Sequence, residues 1–443
     1  HVTSEVFVTT AYGYRQLLIK PNDSDYKNIF SLLSSSEIYS HTEKSSLMQR
    51  GCYLSSATAA IVGSRCHTSE KIDIVHQHSW ATAITKRLVE QHIKTKSLHP
   101  KFVTTLHGHL HEVALAPIDL VRGCGIEIPD GWESESFDLS YEAVDNTDKI
   151  ILVSESLKTS ALTSYIPLQG EYIHAQNTNR LTSINNGISI NRIDPCSSEN
   201  LGDLALNPED LFASKIKIKT FLYENGILSS VDAPLFIYIG RFSPEKGTDV
   251  LNDIAQKVSE LGGNLIVIGK GDIALIQDLE ENKTPTTFIS ANDDAFQKRF
   301  IRFIRAAADF MVIPSHKEAY ALTPMESITN GSIIISTGID GISETTVPLI
   351  INVDSTSGNA ILYDDAIETR KENVCIAIEK AHAIYTRLSE AQLSRVYMRL
   401  MNSSHSFDWS ASDGAAQEYI STFELLAVPK VAKTRDCKHT YKI

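Results

Sequence analysis

Two stretches of this chain carry side chains that could manage a departing diphosphate. The first is Ile239-Gly240-Arg241-Phe242-Ser243-Pro244-Glu245-Lys246-Gly247, which directly follows a short apolar run. Arg241 offers a planar fork to phosphate oxygens, and Lys246 offers a compact point charge. Gly240 and Gly247 let the backbone approach a ligand closely. When a sugar leaves a nucleoside diphosphate, the bridging oxygen gains negative charge, and in the absence of a metal fixed cations must meet it. The second stretch is Ile313-Pro314-Ser315-His316-Lys317-Glu318-Ala319-Tyr320-Ala321-Leu322-Thr323-Pro324-Met325-Glu326. Its two glutamates stand eight positions apart, with a helix start between them and Pro324 suited to the first turn. Glu318 then lies in a loop, where it can hold sugar hydroxyls. Glu326 lies about one turn into the helix, where it can take two ribose hydroxyls. Between them, backbone N–H groups of the helix start face the diphosphate. Two surface glutamates near a helix start would be the plain alternative; the spacing, the preceding strand and the small residues between them argue against it.

Further signals are weaker. Thr104-Thr105-Leu106-His107-Gly108 ends a strand in the first half, so His107 would face a cleft from the opposite side. Ile268-Gly269-Lys270-Gly271-Asp272 reads as a glycine turn after a strand, suited to the base or ribose end of a donor. It is not the dinucleotide fingerprint, which needs a third spaced glycine and a following helix. Ile339-Asp340-Gly341-Ile342-Ser343-Glu344 is another strand-to-helix turn. His76 and His78 end a strand and read as structural, because no nearby carboxylate or cysteine spacing suggests a metal.

These residues need strands and helices to position them. In the second half, Leu235–Ile239, Asn264–Ile268, Asp309–Ile313 and Ser332–Ser336 are short apolar runs bounded by Gly, Pro or Ser. Between the first two, apolar residues at 250, 251, 254, 258 and 261 predict a helix over Val250–Leu261. That rhythm means βαβ units and a buried parallel sheet. The first half repeats it more faintly, in Ile72–Val75, Phe102–Leu106 and Lys149–Val153. No strand is assigned between Arg15 and Ile72. The polar stretch Pro195–Pro208 reads as an interdomain connection, followed by the helix-like Ser214–Glu224. The expected fold is α/β: two Rossmann-like domains, residues 1–200 and 201–408, with parallel sheets facing a central cleft. Ligands of such sheets bind beyond the carboxyl ends of the strands, where these candidate residues fall.

At 443 residues the chain is long enough for two cores. Its formal charge of −13 argues against nucleic acid as the main partner. No apolar run approaches a membrane span. Six cysteines, at 52, 66, 124, 196, 375 and 437, form no Cys-x-x-Cys pair, which predicts the cytoplasm or another reducing compartment and no structural zinc. The chain starts at His1 rather than Met, and its first residues read as strand, so further sequence is expected before it. Residues 428–443 read as a basic solvated tail.

Taken together the motifs resemble the GT-B retaining glycosyltransferases, the family of glycogen and starch synthases and related hexosyltransferases. His1-Val2-Thr3-Ser4-Glu5 resembles their first strand. Asp73-Ile74-Val75-His76-Gln77-His78-Ser79-Trp80 resembles their Asp-Val-Val-His-x-His-Asp-Trp segment. Leu106-His107-Gly108, Ile184-Asn185-Asn186-Gly187-Ile188 and the paired glutamates 318 and 326 match further marks. Phe407-Asp408-Trp409-Ser410 and the following helix, residues 409–427, resemble the terminal helix that crosses back to the first domain.

The resemblance implies a nucleotide-sugar donor (UDP-glucose, ADP-glucose or GDP-mannose), an unidentified acceptor and neither metal nor cofactor. Arg241 and Lys246 would hold the diphosphate, Glu318 the donor hexose, Glu326 the ribose, and His107 the sugar from the first domain. Gly240, Gly269 and the amides around Ala321, Leu322 and Thr323 would complete the donor site. Phe7-Val8-Thr9-Thr10-Ala11-Tyr12-Gly13-Tyr14-Arg15 departs from the family's lysine and Gly-Gly loop, which implies a different acceptor side. An inactive scaffold that binds a nucleotide-sugar or a protein is the alternative.

Overall fold

The computed structural model describes residues 4–11, 14–21, 44–108, 113–129, 134–352 and 356–427, with side chains from residue 48 onward. It begins with β1 (Ser4–Ala11) and β2 (Tyr14–Pro21), which pair antiparallel with Val6 opposite Ile19. This differs from the sequence expectation in one respect. The first strand does not lie in a parallel sheet but forms a two-stranded ribbon of its own. Its partner β2 falls where no strand was assigned. A two-stranded ribbon needs no continuous apolar run, so the period that marks a buried strand is missing there. The Tyr12–Gly13 part of the departing loop lies outside the described residues.

Helix α1 (Lys44–Arg65) also falls in the unassigned stretch. Its helical period is blurred by serines and by Gly51, but Gly51 has a packing reason: a Cβ there would come within 2.0 Å of the Ala81 carbonyl oxygen. The first parallel sheet follows, with β3 (Ile74–His78), β4 (Lys101–Leu106), β5 (Lys149–Leu152) and β6 (Leu181–Ser183) in that order.

The second sheet holds β7 (Leu235–Phe242), β8 (Asn264–Gly271), β9 (Thr287–Ala291), β10 (Phe310–Ile313), β11 (Ile333–Ser336) and β12 (Ala360–Leu362). All are parallel, in the order β9-β8-β7-β10-β11-β12. The winding direction reverses between β7 and β10, and this switch point opens a crevice at the strands' carboxyl ends. The runs Leu235–Tyr238 and Leu265–Ile268 are buried, as a sheet covered by helices on both faces requires.

Helix α2 (Leu211–Glu224) packs under this sheet and places two lysines in its core. Lys219 Nζ lies 2.6 Å from Asp309 Oδ2, and both side chains are 1% exposed. Tyr397 donates to Asp309 Oδ1 at 2.7 Å, and the Leu235 amide donates to Oδ2 at 2.8 Å. Lys215 donates to the carbonyls of Ala306, Ala308 and Asn330 at 2.8, 2.7 and 3.0 Å. Burial pushes its ammonium down to about 7.

The stretch read as an interdomain connection is more ordered than a linker. It contains a short helix, Ser198–Leu201, and it sends Leu201 and Leu206 into the second core. The crossing itself is at Ile188, which accepts from Trp409 N at 2.8 Å and donates to Phe407 O at 2.9 Å. Gly187 permits this approach, since a Cβ would meet Trp409 Cα at 2.8 Å. Helix α3 (Ala415–Leu426) then packs on the first sheet through Tyr419 and Phe423, beside Val103, Ile151 and Ile184. Among the described residues no helix is long and apolar enough to cross a membrane.

Candidate active site

The two informative loops leave adjacent strands at the switch point. Strand β7 runs on to Phe242, past the Ile239 end expected from sequence, so Arg241 stands on the strand end itself. Strand β8 likewise runs on to Gly271, so Gly269 lies within a strand rather than in a turn. The reason is the register: Gly240 faces Gly269, and Arg241 faces Lys270. A Cβ on Gly269 would sit 2.0 Å from the Gly240 carbonyl oxygen, so the ladder can close only with glycine there. Tyr238 donates to the Arg241 carbonyl at 2.9 Å and fixes the exit of β7.

Lys246 and Glu318 meet in an ion pair between the two loops, and both side chains are largely buried. Their loops are laced together by backbone. The His316 amide donates to Glu245 O at 2.9 Å. Gly247, at φ 70°, lies so close to Pro314 that a Cβ would strike its carbonyl oxygen at 1.9 Å. The His316 ring is held between Asp249 at 2.7 Å and Asp365 at 2.9 Å. Glu318 is fixed through its backbone as well: its amide donates to Asp340 Oδ2 at 3.1 Å, and its carbonyl accepts from Gly341 N at 3.2 Å. Asp340 holds this position at φ 45°, in the left-handed region.

Arg241 lies at the same strand end, 68% exposed and 3.4 Å from Glu245. It is therefore open to a ligand. Glu326 sits on the seven-residue helix Thr323–Thr329 and pairs with Arg305 at 2.6 Å. Ala321 is buried in the second core, while Leu322 is exposed at the helix start.

The first domain approaches this loop closely. Leu106, next to His107, shares a buried cluster with Ala319, next to Glu318. Ser154 donates to the Ala319 carbonyl at 2.8 Å, and Ser156 donates to Glu344 through its amide at 2.6 Å and its hydroxyl at 2.7 Å. His107 Nε2 lies 2.8 Å from His78 Nδ1. His76 Nε2 lies 2.8 Å from Thr105 Oγ1, which in turn reaches the Tyr419 hydroxyl of α3 at 3.2 Å.

The comparisons with known proteins fit this arrangement. Residues 223–368 match the family described as glycosyl transferases group 1. The whole fold superposes on the catalytic domain of starch synthase IV from Arabidopsis thaliana bound to ADP and acarbose, with a TM-score of 0.78 at 22% identity, over 96% of this chain and 85% of that one. The chain has the GT-B fold. Curated relatives of this chain include glycogen synthases of Albidiferax ferrireducens and Chlamydia pneumoniae. The former is 22% identical over 80% of this chain and 70% of its own length. The latter is 26% identical over 72% and 69%.

Of the residues that sequence reasoning names, Arg241, Lys246, Glu318, Glu326 and His107, the structure brings Lys246 and Glu318 into contact. Sequence reasoning misses Arg305 and Asp340, which hold Glu326 and Glu318. Arg305 lies in a helix, Asp294–Ala307, with other basic residues, and no spacing distinguishes it. The contact of His78, read as structural, with the His107 ring is not foreseen either; the alternation of His76 and His78 on one strand face was the available signal.

Burial pushes the His76 imidazole down to about 4, helped by repulsion from His78 and His107. The ordinary value is 6.5, so below that pH the unfolded chain binds the proton more readily than the folded one. Stability from this group is present above about 6.5 and is lost as pH falls toward 4. The urea midpoint is expected to drop between pH 7 and pH 5, and to drop less in His76→Gln. Equal slopes for both proteins would remove His76 as the cause.

Proposed function

We propose that this glycosyltransferase moves a hexose, with retention of anomeric configuration and without a metal, from a nucleoside-diphosphate sugar to an acceptor held by the first domain. The observation that carries the reading is the Lys246–Glu318 pair at the reversal of strand order, with Arg241 open beside it. Lys246 turning from Glu318 to the diphosphate, with Arg241, would neutralise the charge that grows on the leaving oxygen. Glu318, released from that pair, accepts hydroxyls of the donor hexose. Glu326, oriented by Arg305, takes the ribose. His107 meets the sugar from the other side of the cleft.

The acceptor hydroxyl attacks the face that the diphosphate leaves, through an oxocarbenium-like state. The departing phosphate oxygen takes its proton, so no side-chain nucleophile is required. Positioning and fixed charge supply the rate, and closure of the cleft excludes water.

ADP-glucose, UDP-glucose and GDP-mannose are the donors to test, each with and without EDTA, against glycan, lipid, small-molecule and protein acceptors. Transfer, or slow hydrolysis, from at least one donor is expected, insensitive to EDTA and with retained configuration by proton NMR. Donor binding by calorimetry with no product from any acceptor would leave a binding scaffold in place of an enzyme. No binding at all would sink both readings.

A further inference from the structure

We infer that His78 is a positioning residue that locks the His107 ring, occupying its Nε2 and leaving Nδ1 as the nitrogen offered to a ligand. The inference rests on the reading above only in that His107 meets the donor sugar. The pairing itself stands on geometry. His78 Nδ1 and His107 Nε2 are 2.8 Å apart. The rings lie within 22° of parallel with centroids 5.1 Å apart, too far for face-to-face contact and suited to an edge-to-edge hydrogen bond.

The surroundings hold His78 in place. Its ring packs 4.3 Å from that of His76, and His76 is tied to Thr105. Directly after His78 the backbone turns at Ser79, at φ 64° and ψ 179°, a conformation that residues with a side chain rarely adopt. The Ser79 amide is anchored on the Thr105 carbonyl at 2.8 Å. A strained, anchored residue next to a ring that touches the cleft histidine is what orientation of that ring requires.

Burial also lowers the proton affinity of both rings. A neutral pair shares one proton across the bond, so the tautomer of one ring sets that of the other. His107 then presents one fixed nitrogen state to the sugar. Without His78 the ring would be free to turn and to exchange tautomers.

Two variants separate orientation from bulk. His78→Phe keeps a ring but cannot hydrogen-bond. His78→Asn places a polar atom near the position of Nδ1 and should restore the bond. The first measurement uses the ligand-free protein with 15N-labelled histidine. The wild type should show His107 in a single neutral tautomer, His78→Phe a mixture, and His78→Asn a single tautomer again. The second measurement is kinetic. In His78→Phe, kcat should fall about tenfold to a hundredfold with little change in donor KM, the size seen when an orienting hydrogen bond is removed. His78→Asn should recover most of it. A single unchanged tautomer in His78→Phe overturns the inference whatever the activity, and so does a kcat equal to wild type. A tautomer change in a protein that transfers no sugar even as wild type supports the lock and counts against the transfer reading instead.

Discussion

Glu318→Ala is expected to lower kcat/KM about a hundredfold to a thousandfold, the scale on which one preorganised polar contact at the reacting centre counts. Two consequences follow from one deletion. On the proposed reading the donor hexose loses its carboxylate acceptor, and Lys246 loses the partner that holds it between the two loops. Stability should change less than on loss of a fully buried pair, because the loop keeps its backbone anchors to Asp340 and Gly341 and the Lys246 side chain stays 17% exposed. Steady-state kinetics with the best donor, together with a thermal melt, measures both. Glu318→Gln separates the causes: it keeps the shape and the hydrogen bonding but not the charge, so it should fall between alanine and wild type. Full activity in the alanine variant would refute the role given to Glu318.

Asp309→Ala is expected to have the largest effect on folding, about 3–5 kcal/mol, the usual cost of removing one member of a buried ion pair. Asp309 accepts from Lys219, Tyr397 and the Leu235 amide, all inside the second core. Its removal strands the Lys219 ammonium among apolar groups and leaves a phenol and an amide unsatisfied. Lys219 keeps contacts to the Ala233 carbonyl and the Tyr385 hydroxyl, but neither carries a formal charge. Urea unfolding of the variant tests this. A loss under about 1 kcal/mol would mean that the neighbourhood relaxes or that water enters, and the network would not matter as described.

The central strands of the second sheet were readable because their apolar runs are buried. Runs such as Leu235–Ile239 and Asn264–Ile268 stand out only where both sheet faces are covered. The ends of those runs were misjudged for the same reason: Gly240-Arg241 and Gly269 to Gly271 continue the ladder without apolar bulk, so the apolar run breaks before the hydrogen bonds do. The N-terminal ribbon and α1 escaped because a two-stranded ribbon needs no continuous apolar run and α1 is interrupted by serines and Gly51.

Within the site, charged residues on strand ends and a helix start were legible, since their chemistry is local to one short motif. Their supports were not. Arg305 reaches Glu326 from another helix, Asp340 reaches Glu318 from the loop after the adjacent strand, and His78 reaches His107 from the neighbouring strand. Partners that meet only through the tertiary fold leave no spacing in one sequence.

The return of α3 to the first sheet bears on how the protein emerges from the ribosome. Val103, Ile151 and Ile184 are made early, yet the residues that cover them, Ala415 and Tyr419, are translated more than two hundred residues later. Early domains of long chains often fold while the rest is still being synthesised. Here that lobe must wait with an uncovered greasy strip until Ala415 and Tyr419 are out. Nascent chains halted short of Ala415 should therefore be caught by chaperones through that strip, and release past Leu426 should free them.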